Sequence, residues 1–419
     1  MIKRAMARKM VEVYKAAGGN TAACSVVREC FKNGDFSHDD VSIRMLAEET
    51  LGRDWCENTR ANAGGGLILT QENIGLGGAV DSTGFSSLLA TIIAGLMDAE
   101  PAEADVGLAE SLVTTKRVTR ERGERLVNLK KVGREAVDIV QEGGEYSAYG
   151  FGSDFVDMPD TVKRGGYVLL TKEMIAEDET GKALDAARSI INENRMQKAE
   201  RILKTVLGID NAVYAPLGVI EGSYVSSGAG LDNPGRVNLV TSGAELLDWT
   251  DLDEAFLRWA DMTDKVTGRP VSVNPDTMQL IVMPHKWARA RQILGAAGID
   301  TREAAAAVQG EMRGGPNPYA GFVSQVTSSM LAYSLLTRAA TDSFNPGGGV
   351  SAANAKNYWY LGDFKKAFEY REQWPLTVET IGADTLLGFT RDVVFGVKVS
   401  EKGVMAVKDP RQVQQMRQA

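Results

Sequence analysis

The sequence predicts an α+β fold rather than a regular alternation of strand, helix and parallel strand. Three features point to it: one long helical pattern from about Glu179 to Leu207, a separate strand–helix unit between Asn274 and Leu294, and short runs rich in aromatic and β-branched residues after Asn357. With 419 residues, 44% of them apolar, the chain can bury a substantial core and is long enough for two or three domain-sized units.

Composition narrows the function classes. The 55 acidic residues outnumber the 47 basic ones for a net charge of -8, which excludes a surface built throughout to grip nucleic acid but leaves room for local basic patches. Cys24, Cys30 and Cys56 are odd in number and lack CxxC spacing, as expected of reduced cytoplasmic thiols. The basic start, Met1 to Met10, is not followed by the apolar core of a secretory signal. The stretch Phe85 to Met97 is interrupted by Ser86, Ser87 and Thr91 and falls short of the ~20 residues a bilayer requires, so no membrane span is expected.

The first 61 residues read as helical, with Met10, Val13 and Ala17, then Val41, Met45 and Leu46, at helical spacings. Gly18-Gly19-Asn20 and Asn33-Gly34-Asp35 break the pattern, and Ser37 or Asp39 is placed to cap the second helix. Residues 62–113 predict an extended arm. Gly64-Gly65-Gly66 with Gly75, Gly77 and Gly78 is too flexible for a packed element, and these glycines do not keep the GxGxxG spacing of a dinucleotide site. Phe85, Leu88, Leu89 and Ile92 are the arm's candidate contact residues.

Between Lys116 and Thr161 the charges are sorted. The first limb carries Lys116, Arg117, Arg120, Arg122, Arg125, Lys130, Lys131 and Arg134 against only Glu121, Glu124 and Glu135. The second, from Ala136, holds Asp138, Glu142, Glu145, Asp154, Asp157 and Asp160 with no lysine or arginine. Glu142-Gly143-Gly144-Glu145 supplies a turn, and Tyr146, Tyr149, Phe151 and Phe155 favour strands. A two-limbed ribbon has little core of its own and needs a partner surface. The opposite limbs can pair within the ribbon or between copies, setting register more than affinity. The alternative is an ordinary solvated hairpin whose exposed ion pairs contribute only ~0–1 kcal/mol each.

A strand at Gly166–Leu170 leads to the long helix, ~43 Å at 1.5 Å per residue, with Gly208 as its C-cap. A second helix is expected from about Asp251 to Val266, then a strand from Asn274 to Met283 and a helix from Trp287 to Leu294. Asn357–Gly362, Lys366–Tyr370, Leu376–Thr380 and Val393–Val399 read as antiparallel strands.

Reaction chemistry has little to stand on. Only His38 and His285 are present, and GxSxG, HExxH and GxxxxGK[ST] are absent. The carboxylate groups Asp39-Asp40 and Glu177-Asp178-Glu179 sit at helix starts, where the dipole explains them. No catalytic residue, cofactor or metal site is expected.

Glu142-Gly143-Gly144-Glu145-Tyr146, the run YVLLTKEMIAED from Tyr167 to Asp178 and the helix after it resemble the major capsid proteins of tailed phages, nearest to Mu-like head subunits. The resemblance continues at Gln279 to Pro284 with helix Trp287–Leu294, at Asn317-Pro318, and from Val394 to Val397 through Ala406 to Pro410, covering about residues 80 to 410. It implies the Hong Kong 97-type capsid fold: an N-terminal arm, an E-loop, a peripheral domain on a long spine helix, and an axial domain. Mapped on the chain, these are a helical region at 1–61, the arm at 62–113, the E-loop at 114–165 and the peripheral domain with its spine helix at 166–212. An irregular connection at 213–248, a peripheral-domain helix at 249–272, the axial domain at 273–380 and closing peripheral-domain strands at 381–419 complete it. Residues 1–61 depart from the family pattern, either as a scaffolding-like segment removed on maturation or as a retained lattice element; the start at Met1 favours retention.

The resemblance further implies a non-enzymatic subunit assembling in the host cytoplasm as hexamers and pentamers of an icosahedral virion shell. Packaged double-stranded DNA would be held by a few non-specific phosphate contacts, with a portal and scaffold or decoration proteins as further partners. Candidate inter-subunit residues of the E-loop are Arg120, Arg125, Lys130, Lys131, Arg134, Asp138, Glu142, Glu145, Asp154 and Asp157. Two other readings stay open: an encapsulin-type compartment enclosing protein cargo, a class that usually lacks a long front arm, and a soluble enzyme using carboxylates in an axial-domain cleft.

Overall fold

The computed structural model of the protein describes residues 2–16, 25–27, 29–30, 33, 45–46, 48–49, 92, 104–119, 125–127, 142–143, 155–171, 173–174, 182–210, 214–216, 219–226, 236–241, 245–262, 270–295, 325–338, 352–382, 390 and 393–417. Two compact units form. One comprises Met1–Ala102, Lys163–Gln197 and Trp374–Lys402, the other Glu103–Val162, Lys198–Gln373 and Gly403–Ala419. In chain order the described helices are α1 (Ile2–Ala16), α2 (Ala104–Ser111), α3 (Lys182–Val206), α4 (Trp249–Asp261), α5 (Trp287–Leu294), α6 (Met330–Arg338), α7 (Ala352–Ala355) and α8 (Phe364–Ala367). The strands are β1 (Thr114–Arg117), β2 (Arg125–Val127), β3 (Phe155–Asp157), β4 (Val162–Thr171), β5 (Ala215–Pro216), β6 (Leu239–Val240), β7 (Gln279–Val282), β8 (Gln325–Ser328), β9 (Trp359–Gly362), β10 (Phe368–Gly382), β11 (Val393–Val407) and β12 (Val413–Met416).

In the first unit, α1 is helical with one buried face because Ala7, Met10, Val11 and Tyr14 recur at helical spacing. Its exposed Arg8 meets Glu49 at 3.4 Å. Residues 163–171 of β4 lie against β11 so closely that a Cβ on Gly165 would stand 2.3 Å from the Val399 carbonyl oxygen. Across the same strands Trp374 is flanked by Lys163, 5.8 Å from its ring centroid, and Lys402, at 5.2 Å. The Thr377 hydroxyl donates to the Ser400 carbonyl at 3.0 Å, and Lys398 pairs with Glu379.

The second unit is organised on a five-stranded sheet in the order β6-β12-β9-β7-β8. β9 is antiparallel to both β12 and β7, whereas β6 runs parallel to β12 and β8 parallel to β7. Leu280, Val282, Trp359, Leu361 and Met416 alternate onto one face and pack against Leu252, Ala255 and Trp259 of α4 and Ala290 and Ile293 of α5. The two helices therefore share one layer, tied at their N-terminal ends by Arg289 Nε donating to the Leu247 carbonyl (2.7 Å) and by Lys286 against Glu245 (3.7 Å). A capping box starts α4: the Asp248 carboxylate accepts from Thr250 N at 2.8 Å, and Asp251 accepts from Asp248 N at 3.0 Å.

Several boundaries differ from the sequence expectation for identifiable reasons. Helix α4 stops at Asp261 because Met262 is already extended, instead of reaching Val266. The strand expected from Asn274 is shortened to β7, since Pro275 fixes its own φ and the Asn274 side chain accepts from Asp276 N at 3.1 Å, making a 3-10 turn over Pro275–Thr277. Lys366–Tyr370 is not one strand: Asp363 caps the single turn α8, and β10 begins at Phe368. β9, within a run expected to be antiparallel, is antiparallel to both neighbours, whereas β1, outside those runs, joins β10 in parallel, and α5 lies in the long connection that lets β8 return parallel to β7.

The β9 end is tightly constrained. Gly362 has φ +150°, and a Cβ there would lie 2.2 Å from the Gln412 carbonyl oxygen. Gly362→Ala is expected to destabilise the fold by roughly 2–4 kcal/mol, read as a lower denaturant midpoint with unchanged m-value. Its neighbour Asp363 accepts from Thr277 Oγ1 at 2.7 Å and pairs with Lys366 Nζ at 2.9 Å. Burial pushes this carboxyl up, but the hydrogen bonds from Lys366 and Thr277 and the Lys366 charge outweigh it, so its pKa lies below the ordinary value. A folded-state pKa below the unfolded one contributes stability above the unfolded pKa and loses it as pH falls through the folded one. Stability should therefore drop on acidification below about pH 4, and less steeply in Asp363→Asn, as followed by denaturant midpoints across pH.

Candidate functional site

The charged ribbon is rooted on β10 by both limbs. All four residues of β1 are exposed, and they pair in parallel register with Glu369–Glu372. Val118 N then donates to the Glu372 carbonyl at 2.9 Å, and the Thr114 hydroxyl donates to the Lys365 carbonyl at 3.0 Å. The second limb returns to the next residue of the same strand, where Thr161 Oγ1 donates to Gln373 Oε1 at 3.3 Å. Beneath this root Lys198 lies 3.6 Å from Glu110 and 3.7 Å from Glu372, with its ammonium 4.8 Å from the Tyr370 ring centroid. One cation thus bridges α2 and β10 against an aromatic face.

Further along, the limbs form a ladder. β2 and β3 are antiparallel with Arg125 opposite Asp157, Leu126 opposite Val156 and Val127 opposite Phe155. This register places the midpoint between the limbs at residue 141, beside a turn at residues 142–143 where Gly143 has φ +84°. A positive φ is accessible to glycine without the Cβ clash other residues meet. β5 adds a third strand, with Pro216 opposite Val156 and Ala215 opposite Asp157. At the one described rung carrying charge, a basic position of the first limb faces an acidic position of the second.

Of the residues singled out from sequence, Arg125 and Asp157 are brought together as strand partners, Asp157 half-buried, and Glu142 is exposed at the turn. Arg120, Lys130, Lys131, Arg134, Asp138, Glu145, Asp154, Phe85, Leu88 and Leu89 lie outside the described residues. Ile92 is fully buried, its apolar surface already covered within its own chain.

His285 is exposed, its ring 5.0 Å from that of Tyr333, and Cys30 is a half-buried thiol. Among the described residues no group of three or more His, Cys, Asp or Glu side chains could hold a metal ion, and no helix is long and apolar enough to cross a membrane. The arrangement offers binding surface: a ribbon with sorted charge, and exposed apolar side chains that sequence reasoning passed over. Among these are Met330 (69% exposed), Tyr167 (67%), Ile220 (66%), Leu257 (56%) and Trp287 (42%). Trp287 and Arg291 are spaced i, i+4, a signal readable in the sequence once Ala290 and Ile293 are known to face the core.

No curated protein matches the chain significantly. It is similar at low identity to solved capsid structures. One is the capsid of cyanophage P-SCSP1u, 10% identical over 74% of this chain and 86% of that one, with TM-score 0.43. Others are the capsid of the native GTA particle (13%, 76% and 92%, TM-score 0.42) and a structure from Mycobacterium phage Patience (13%, 76% and 86%, TM-score 0.43). A family model described as phage capsid protein matches residues 157–415, more than half of the chain, running from the second limb of the ribbon to the last strand of the sheet, and on that match the chain belongs to the phage capsid protein family.

Proposed function

We propose that the protein is the major head subunit of a tailed phage, folded in the Hong Kong 97-type manner and assembling as hexamers and pentamers into an icosahedral shell around double-stranded DNA. The observation that carries this reading is the family match over residues 157–415. In this reading residues 114–165 are the E-loop, 62–113 the arm, and 273–380 the axial domain.

Assembly works through surfaces that a lone subunit leaves unsatisfied. A two-limbed ribbon whose described rungs are the short ladder of residues 125–127 with 155–157 has little core to hold it and gains stability by lying on a neighbour. The basic limb from Lys116 to Arg134 and the acidic limb beyond it fix the register of that contact, and the apolar arm residues Phe85, Leu88 and Leu89 add burial. Each contact is modest, yet many identical contacts in a closed lattice make the shell stable. With net charge -8, the subunit holds DNA through few, sequence-independent phosphate contacts, as suits a genome that must be released. Portal, scaffold and decoration proteins complete the expected partners, and assembly takes place in the host cytoplasm.

Purified protein is expected to elute from size-exclusion chromatography as capsomers or megadalton particles, and particles made in cells should contain nuclease-resistant DNA. Protein cargo in place of DNA would identify a cargo compartment instead. Replacing Lys130 and Lys131 together by Glu should leave a folded, soluble subunit and abolish shells in negative-stain micrographs. Normal particles from that double variant would refute the role given to the ribbon.

A further inference from the structure

The outer surface of the α4–α5 layer is sorted by charge into two stripes that the ribbon does not use. Because Leu252, Ala255 and Trp259 face the core, Thr250, Glu254, Leu257 and Asp261 line up outward along α4. Leu257 is 56% exposed, with a carboxylate on the turn before it and another on the turn after. The Glu254 side chain is 67% exposed while 3.3 Å from Arg258 on the helix flank. Helix α5 presents the opposite character. Ala290 and Ile293 are buried, and Trp287 and Arg291 face outward with the guanidinium 4.9 Å from the indole centroid. Stacking on the ring leaves the guanidinium edge, with its N–H donors, turned to the surroundings.

An apolar side chain between acids and an indole capped by a cation match in both charge and apolar content. Each stripe is a poor match for itself: two copies of the α4 stripe would oppose carboxylates, and two of the α5 stripe would oppose guanidinium groups. The occupant that fits either stripe is therefore the other stripe on a second copy of this chain. Such a contact between unlike patches is head-to-tail, the kind that closes into a ring when the rotation permits. We propose that α4 of one subunit docks on α5 of the next, Leu257 against Trp287 and Arg291 between Glu254 and Asp261, as the contact that sets subunits around a capsomer. The inference rests on the shell-subunit reading above.

The test uses the full chain in three forms: Arg291→Glu, the double variant Glu254→Arg with Asp261→Arg, and an equal mixture of the two. Each variant alone should keep the circular-dichroism spectrum of the native protein but need about tenfold more subunit to form particles, measured by light scattering. Mixed, they should form hexamers near the native concentration, counted in negative-stain micrographs, because variants alternating around a six-membered ring place every acidic α4 on an intact α5 and every basic α4 on the carboxylate that Arg291→Glu introduces; a five-membered ring cannot alternate and keeps one mismatched contact. Native-like assembly of Arg291→Glu alone would overturn the inference while leaving the shell reading intact, as would impaired variants that do not rescue each other. A native chain that never assembles would overturn the shell reading and this contact with it.

Discussion

The sheet of the second unit is fixed by the buried end of α3, whose residues 198–206 belong to that unit. The last carbonyls of any α-helix lack intrahelical donors, and leaving one buried without a partner costs ~1–3 kcal/mol. At the end of α3 the Tyr224 hydroxyl donates to the Val206 carbonyl at 2.6 Å, while the Tyr360 hydroxyl and Gln415 Nε2 both donate to the Leu207 carbonyl at 3.2 Å. Gly208, with φ +72°, turns the chain so that Ile209 N reaches the Lys204 carbonyl at 2.9 Å. Burial raises the pKa of both phenols, so they stay protonated and remain donors. Tyr360 belongs to β9 and Gln415 to β12, so satisfying the helix end also fixes where the sheet must lie.

The same requirement extends to the sheet's far edge. Asn238, fully buried, donates through Nδ2 to the carbonyls of Ser223 (2.9 Å), Pro410 (2.9 Å) and Val413 (3.3 Å) and accepts from Val225 N at 2.8 Å. Gln414 Nε2 reaches the Ala255 carbonyl on α4 at 2.8 Å, and Trp259 Nε1 reaches the Arg411 carbonyl at 2.9 Å. Because β12 lies between β6 and β9, the sheet is not continuous until residues 413–416 are in place. The contacts that matter most are thus non-local ones, specified by buried amides as much as by apolar packing.

That distribution explains what the sequence made legible. The long helix was readable to within a few residues because Ala199, Ile202, Leu203 and Val206 keep a clear helical period. Strands β10 and β11 read as short fragments because buried Glu369, Arg371, Glu372, Glu401 and Lys402 interrupt their apolar pattern; each strand is 15 residues long. Asn274 and Asp363 hid turns whose capping bonds are side-chain events within a strand-like context. Parallel pairing of β1, β6 and β8 leaves no local signature, since the partner lies far away in the chain. At the candidate site, charge sorting along the ribbon was visible in composition alone, but the facing of Arg125 and Asp157 depends on register. The stripes on α4 and α5 required knowing which side of each helix the core had claimed.

The rooting of the ribbon has a mechanical corollary. Its first limb holds β10 through the register of Thr114–Arg117 on Glu369–Glu372, its second through Thr161 on Gln373, and β5 braces the ladder further along. A sideways load on the ladder of residues 125–127 and 155–157 is carried into β10 as a torque and shared with β5. Lys198, gripping Glu372 and Glu110 from below, is positioned to resist such twisting.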